Sequence, residues 1–348
     1  MSMKKGVLSA IYFISAGFLF AQDIHFSQTA QTPLLINPAC AGVYDGWERI
    51  TINHRNQWLG AGTQFMTSSV AADINLGKDS YRDKAHLGLG VLFYNDIGGD
   101  SKFGTQAGSI TVNGILPIGG GHTFSAGIQG GFASRKADYT ALTFSSQWNG
   151  NEYDQSVLSG EENGLSGFRY INASAGLLYV YDASKNSFQR KNKFKVQFGL
   201  GGYHLNRPLM QFNSVEGGRL YRKFVIHGSI NSDIAMSDLS IEASAVQFIQ
   251  GPHFETIFGT VLKYRLKDGT KITGYNQDAY LGFGMFYRLK DALCPTVLID
   301  WRGFKIGISY DATVSSMRKA YTGGSVEFSL SYTNLSHALF KKRNNRKF

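Results

Sequence analysis

Cysteine and proline are scarce in this chain of 348 residues, which contains 2 cysteines and 6 prolines. The two cysteines, Cys40 and Cys294, are far apart and form no cluster at zinc-binding spacing. Beyond the first 21 residues, no apolar run approaches the ~20 residues that a membrane-spanning helix needs. These absences exclude a cysteine-based zinc site and a helical membrane protein.

Catalytic patterns are also missing. The 8 histidines are spread singly, without an HExxH pair, and no set of nucleophile, base and orienting group can be assembled from the sequence. Glycine strings such as Gly88-Leu89-Gly90 lie inside strand-like segments rather than at a strand-to-helix turn, which argues against a phosphate-binding loop. We therefore predict a protein that is not an enzyme and that uses no metal or cofactor.

What the sequence has instead is apolar residues at every second position, segment after segment. In one such run the apolar members are Phe304, Ile306, Ile308 and Tyr310, and the residues between them are Lys305, Gly307, Ser309 and Asp311. A period of two gives a strand one apolar face and one polar face. A soluble β-sandwich alternates in the same way, but its strands are nearer five or six residues, whereas these segments often reach the roughly 10 to 13 residues of a tilted transmembrane strand.

Composition supports the membrane alternative. The 25 phenylalanines and 18 tyrosines suit interfacial girdles, and the 41 glycines suit a curved wall. We predict an all-β fold, a transmembrane antiparallel β-barrel in the outer membrane with about 14 strands, within a range of roughly 12 to 16. A stable barrel needs no disulfide, although export would permit one between the two cysteines. The predicted strands are 47–56, 64–75, 84–95, 104–117, 122–134, 168–182, 194–204, 223–233, 238–249, 254–266, 277–289, 294–302, 304–311 and 323–332.

The ends of the chain are predicted to be separate from the barrel. Lys4 and Lys5 precede an apolar stretch, and Ala21 precedes the polar Gln22, which is the order of a cleavable signal peptide. The predicted divisions are a signal peptide at 1–21, an N-terminal lumen or periplasmic segment at 22–46, the barrel at 47–333 and a basic C-terminal tail at 334–348.

Charge is distributed unevenly. The net charge of +10 includes a group of basic residues close to the C-terminus rather than a stripe with interleaved aromatics, so we predict no nucleic-acid partner. With an even strand number the tail would be periplasmic, where it could meet partners or lipid phosphates or remain a solvated tail. Residues 135–167 form a polar stretch that should be an external loop, either a recognition site or a solvated loop.

The most specific motifs follow the predicted signal peptide. Residues 22–42 read QDIHFSQTAQTPLLINPACAG, and residues 53–58 read NHRNQW. These stretches resemble the PorP/SprF family of type IX secretion system membrane proteins of Bacteroidetes outer membranes. The residues that match the family's opening and its later Y-R-N-Q-W are Asp23, Phe26, Ser27, Gln28, Pro33, Leu34, Asn37, Pro38, Ala39, Ala41, Gly42, Arg55, Asn56, Gln57 and Trp58. His54 stands where the family usually has tyrosine.

The resemblance extends over nearly the whole mature chain. It includes His204 within FGLGGYHLNRP and the pair Tyr310 and Asp311 within SYDATVSSM. The family often closes with a G-S-H-E-like strand start, where this chain has valine in place of histidine and keeps Glu327. We treat all of these matches as structural or docking residues. The N-terminal block could brace the lumen or provide a periplasmic docking surface.

The resemblance implies a non-enzymatic component that supports secretion, surface attachment, or both, of a cargo protein such as a gliding adhesin. Its implied partners are a cargo bound by extracellular loops, other secretion or gliding components at the periplasmic side, and outer-membrane lipid. Two alternatives stay open: a diffusion channel for small solutes, which requires an open lumen, and an outer-membrane hydrolase, for which the sequence nominates no nucleophile.

Overall fold

The chain folds into a closed barrel of 14 antiparallel strands. The computed structural model describes residues 23–57, 65–79, 83–138, 142–154, 156–160, 167–186, 193–211, 218–267, 278–315 and 324–335. Each strand pairs with its neighbours in the chain, and β1 pairs with β14 to close the sheet. Within the described residues, no helix is long and apolar enough to cross a membrane. The predicted fold class and strand number are confirmed.

The strand bounds follow the alternating pattern closely. The strands are β1 (Glu48–Gln57), β2 (Phe65–Leu76), β3 (His86–Gly98), β4 (Phe103–Gly119), β5 (His122–Lys136), β6 (Gly167–Asp182), β7 (Phe194–Tyr203), β8 (Lys223–Asp233), β9 (Leu239–Gln250), β10 (His253–Lys267), β11 (Ala279–Arg288), β12 (Ala292–Trp301), β13 (Phe304–Thr313) and β14 (Ser325–Thr333). Each bound lies within about three residues of its prediction. The predicted signal peptide and basic tail lie outside the described residues and stay predictions.

The alternation of apolar and polar residues along the strands gives the barrel a lipid-facing outer surface and a polar lumen. On β5, Phe124 and Ile128 point outward and are 49% and 67% exposed, whereas Ser125 and Gln129 point inward and are buried. The other strands repeat this arrangement, so large apolar side chains form the outer wall and polar side chains form the inner wall. An apolar surface of this extent is stable only against lipid.

Loop lengths give the orientation of the barrel. The longest connections, 137–166 and 204–222, lie at the end opposite to the start of β1 and the finish of β14. Bacterial barrels have long extracellular loops and short periplasmic turns. The end that carries these two connections is therefore the outer end, and β1 begins at the periplasmic end.

Candidate functional site

The lumen is filled by residues 23–46, which we call the lumen segment. At the outer end, the Asp23 amide donates to Gln250 Oε1 at 3.0 Å, on the last residue of β9. Near the periplasmic end, the Gly42 amide donates to Asp73 Oδ2 at 2.8 Å, on β2. The segment therefore runs the length of the barrel before the chain enters β1. Its first residues lie at the outer end, so the segment does not face the periplasm along its whole length.

Local sequence explains why the lumen segment is irregular but ordered. Pro33 begins a short helix, α1 (Pro33–Ile36), where its missing N–H has no partner to lose. Asn37 Oδ1 then accepts from the Ala39 amide at 2.9 Å and caps the 3-10 turn Pro38–Cys40. Gly42 has a φ of 75°, a backbone conformation that side-chain-bearing residues adopt rarely. Prolines, an Asx cap and one glycine thus define the path.

Glu327 binds the backbone of the lumen segment near its outer end. Its two carboxylate oxygens accept from the amides of Ser27 at 2.8 Å and Gln28 at 2.9 Å. The Gln28 side chain continues the contact along the wall, since its Nε2 donates to Ser309 Oγ at 3.2 Å. Glu327 and Gln28 are fully buried. The two backbone N–H donors offset part of the cost of burying this carboxyl group.

Asp311 lies beside this contact and joins the lumen segment to two arginines. Asp311 Oδ2 accepts from Ser27 Oγ at 2.9 Å, Arg55 Nη2 at 3.0 Å and Arg288 Nη2 at 3.1 Å. Arg55 also donates to the carbonyl of His25 at 3.1 Å. All three charged side chains are buried. This network connects β1, β11 and β13 through the lumen segment.

The first residue of the lumen segment is held by a second ion pair. His204 Nε2 lies 2.5 Å from Asp23 Oδ2, and His204 Nδ1 lies 2.7 Å from Asn172 Oδ1. His204 thereby connects Asp23 to Asn172 on β6. Burial by itself raises the pKa of Asp23, but His204 and, more weakly, Lys223 outweigh it and hold that pKa below its ordinary value.

The surroundings of His25 disfavour its protonated form. Burial, followed by the nearby Arg55 and Arg288, lowers the pKa of His25 well below its usual value. His25 Nε2 lies 3.4 Å from Glu255 Oε1 on β10.

A row of glycines forms the seat for the middle of the segment. Gly127, Gly176 and Gly201 are directly paired across β5, β6 and β7. A Cβ at Gly127 would lie 2.6 Å from the Pro38 carbonyl oxygen, and one at Gly201 would lie 2.7 Å from that of Ile36. A Cβ at Gly176 would overlap with Asn37 Oδ1. Close approach of the segment, rather than curvature alone, accounts for these glycines.

Hydrogen bonds hold the middle of the lumen segment in the same place. Asn37 Nδ2 donates to the Leu177 carbonyl at 2.9 Å and lies 3.0 Å from His227 Nε2. Asn113 Nδ2 donates to the carbonyls of Ala39 at 2.8 Å and Ala41 at 2.7 Å. These bonds give the irregular backbone the partners that a regular strand would have obtained from its neighbours.

Apolar contacts add to the polar ones. Leu34 and Ala41 pack with Ala71 and Leu92. Further clusters join Ile36 to wall residues such as Val225, and join Ala39 and Cys40 to Leu178 and Val180. Cys40 and Cys294 are both free and buried, in different clusters. Cavities of ≈ 260 Å³ and ≈ 220 Å³ remain towards the periplasmic end, and Val43, Tyr44 and Asp45 line both.

The structure brings most of the sequence-predicted residues together. Those in or against the lumen segment are Asp23, Phe26, Ser27, Gln28, Pro33, Asn37, Pro38, Gly42, Arg55, His204, Asp311 and Glu327. Asn56 and Gln57 lie at the outer end of β1, and Tyr310 points outward with 47% exposure. Trp58 lies outside the described residues. Whether these residues serve docking as well as structure remains a prediction.

Sequence reasoning missed several wall residues that hold the segment. Asp73, Asn113, His227 and Arg288 all contact it or its anchors. The alternating pattern places each on an inward face, but an isolated polar residue there looks the same whether it contacts water or a buried segment. Within the described residues, no group of three or more His, Cys, Asp or Glu side chains could hold a metal ion. The arrangement binds a peptide segment.

A valine at Gly176 should displace the lumen segment. Its side chain would overlap with Asn37, whereas a valine at Gly130, which has open space around its Cβ position, should be tolerated. Burial raises the pKa of the Cys40 thiol to about 12 and shields it, so wild-type Cys40 should react slowly with a maleimide. We expect labelling of Cys40, followed by mass spectrometry, to be at least about tenfold faster in Gly176→Val. Equal labelling of both variants would contradict the close packing of the lumen segment against the glycine row.

Neutralising Asp311 should destabilise the protein strongly. Asp311→Asn leaves two buried guanidiniums without their shared carboxylate, and loss of one partner from a buried pair costs about 3–5 kcal/mol. The control is Asp45→Asn, because Asp45 is 82% exposed in its pair with Lys195 and such pairs contribute about 0–1 kcal/mol. Denaturant unfolding in micelles measures both changes. Similar small losses in the two variants would show that the buried network is not a major anchor.

Solved structures of transport and translocator proteins resemble this barrel at low sequence identity. The toluene transporter TbuX of Ralstonia pickettii shares 11% identity, with 87% of this chain and 93% of that chain covered and a TM-score of 0.44. BamA of Haemophilus ducreyi, lacking POTRA domains 1–3, shares 6% identity, with 83% and 70% covered and a TM-score of 0.43. The translocator domain of NalP from Neisseria meningitidis shares 10% identity, with 84% and 90% covered and a TM-score of 0.40.

No curated protein matches the chain. A family model described as "Type IX secretion system membrane protein PorP/SprF" matches residues 18–332, which include the lumen segment and nearly all of the barrel. The chain therefore belongs to the PorP/SprF family and is an outer-membrane β-barrel component of the type IX secretion system.

Proposed function

We propose that this protein is a non-enzymatic surface component that supports the secretion or surface attachment of a cargo protein, such as a gliding adhesin. One observation carries the proposal: the lumen is occupied by the protein's own residues 23–46. A polypeptide could not pass through this barrel unless the lumen segment left it. The cargo would therefore be held at the outer surface rather than conducted through the wall.

The lumen segment has the contacts of a permanent part of the fold. It is bonded to wall residues from the outer end, where Glu327 binds it, to the periplasmic side, where Asp73 binds it. Buried charge pairs, hydrogen bonds of the backbone amides and apolar clusters would all have to separate for the segment to leave. This supports a barrel that acts as an anchor, with its outer loops available for binding.

The best cargo-binding candidate is the described part of the extracellular loop, residues 142–154 and 156–160. It supports itself, because Gln147 Nε2 donates to the Val157 carbonyl at 3.1 Å and the Asp154 amide donates to the Gln147 carbonyl at 2.9 Å. Yet Trp148 is 50% exposed and Leu158 is 86% exposed. Ordered apolar side chains that face water are typical of a protein-binding surface.

A diffusion channel for small solutes is the main competing function. It would require an open path beside the lumen segment and measurable conductance of the purified wild-type protein in a planar bilayer. A cargo anchor with a filled lumen should conduct poorly.

Periplasmic secretion components would then meet the other end of the barrel, where residues 43–46 lead into β1.

Capture from native membranes tests the cargo role. A tagged wild-type protein should retain one large surface protein, identified by mass spectrometry, and the double variant Trp148→Ala/Leu158→Ser should retain several-fold less because two exposed apolar contacts are lost. Met236→Ser is the control, since the Met236 side chain is more exposed than either of them but lies in the periplasmic 234–238 turn. A wild-type barrel that captures no surface protein and conducts ions would favour the channel instead.

A further inference from the structure

Four exposed arginines lie around the outer ends of β6, β7 and β8. We call Arg169, Arg207, Arg219 and Arg222 the outer arginine cluster. Within the part of the chain that the structure describes, no carboxylate lies within 4 Å of any of these guanidiniums. The arginines that face the lumen differ, because Arg55 and Arg288 share Asp311. Among the described residues, the positive charge of the outer cluster therefore has no carboxylate partner within 4 Å.

Unequal strand lengths bring the cluster together. β6 begins at Gly167, but it pairs with β7 only from Ala175 onward, so its outer part extends beyond β7. The chain after β7 covers this edge: the Leu205 amide donates to the Ala173 carbonyl at 2.9 Å. Asn206 Nδ2 donates to the Ile171 carbonyl at 2.6 Å. Arg207, the next residue, is thereby placed beside the part of β6 that carries Arg169.

The other two arginines are tied to the same connection. Arg219 forms an isolated bridge with Leu209, and its Nη1 donates to the Arg207 carbonyl at 3.4 Å. Arg222 Nε donates to the Leu205 carbonyl at 3.2 Å. Each of these side chains uses one N–H on the backbone. Among the described residues, the other donors of these two guanidiniums have no acceptor in the wall and can bind an external one.

The lipid-facing wall ends directly below this cluster. Ile171, two residues along β6 from Arg169 and on the same outward face, is 69% exposed. Phe224, two residues along from Arg222, is 47% exposed and also points outward. Apolar side chains contact the hydrocarbon region, so the arginines just beyond them lie at the height of the outer headgroups.

The chemistry of the guanidinium group favours phosphate as the ligand. Guanidinium is planar and binds phosphate through paired hydrogen bonds, and it is weakly hydrated compared with ammonium. Headgroup phosphates of the outer-leaflet glycolipid are the anions at this height. We propose that the outer arginine cluster binds the phosphate groups of outer-leaflet glycolipid headgroups. Bound lipid would offset the mutual repulsion of the four arginines and fix the barrel's depth in the outer leaflet.

The test compares bisphosphorylated lipid A with fully dephosphorylated lipid A. The purified full-length protein is incubated with each lipid in detergent, and bound lipid is counted by native mass spectrometry. Wild type should retain the bisphosphorylated form about tenfold or more better than the dephosphorylated form. Arg169→Gln/Arg222→Gln should lose most of this preference, and the preference should fall as salt is raised.

The control is Lys102→Gln/Lys290→Gln, which removes two positive charges from the same end of the barrel but outside the cluster. It should keep the wild-type preference. Circular dichroism and heat-modifiable migration show that both variants are folded. Equal retention of the two lipids by wild type, or equal losses in the two variants, would overturn the proposal. So would unchanged lipid binding with loss of a captured surface protein, which would make the cluster a protein contact.

Discussion

Two buried carboxylates on adjacent strands, Asp311 on β13 and Glu327 on β14, bind the start of the lumen segment. They accept hydrogen bonds from the amides of Ser27 and Gln28 and from the Ser27 hydroxyl. Both carboxyl groups are almost completely buried, so each depends on the protein donors that surround it. Arg55 on β1 is one of those donors, and β1 pairs with β14 at the closure of the barrel. Closing the sheet and seating the segment are therefore coupled, and residues about 300 positions apart must meet before either is complete.

The kind of contact that holds the lumen segment changes along its length. Its outer end is held by charge, through Asp311, Glu327 and the pair of Asp23 with His204. Its middle is held by shape, through the glycine row that includes Gly176 and through Asn37. The outer end is thus the part most sensitive to charge changes, and the middle is the part most sensitive to volume changes. A segment anchored in both ways supports a barrel that works through its surfaces.

The strand number and strand bounds could be predicted from the sequence because apolar and polar residues alternate with a period of two along most strands. β8 was predicted to the residue, and the family motifs correctly drew attention to the N-terminal block. The path of that block could not be predicted. Asp23 and Gln250 are distant in sequence, and only the closed barrel shows that they meet at the outer end. Glycines such as Gly127 were interpreted as features of a curved wall, because a sequence does not show which of them a second backbone approaches.

Hydrogen exchange on the full-length protein in a lipid environment tests the central claim that residues 23–46 are a fixed part of the barrel. The amides of Ser27 and Gln28 donate to Glu327, and the amide of Gly42 donates to Asp73. Peptides that cover these residues should exchange as slowly as peptides from β13 and β14. Exchange as fast as that of the exposed turn at 234–238 would contradict a seated lumen segment and reopen the channel alternative.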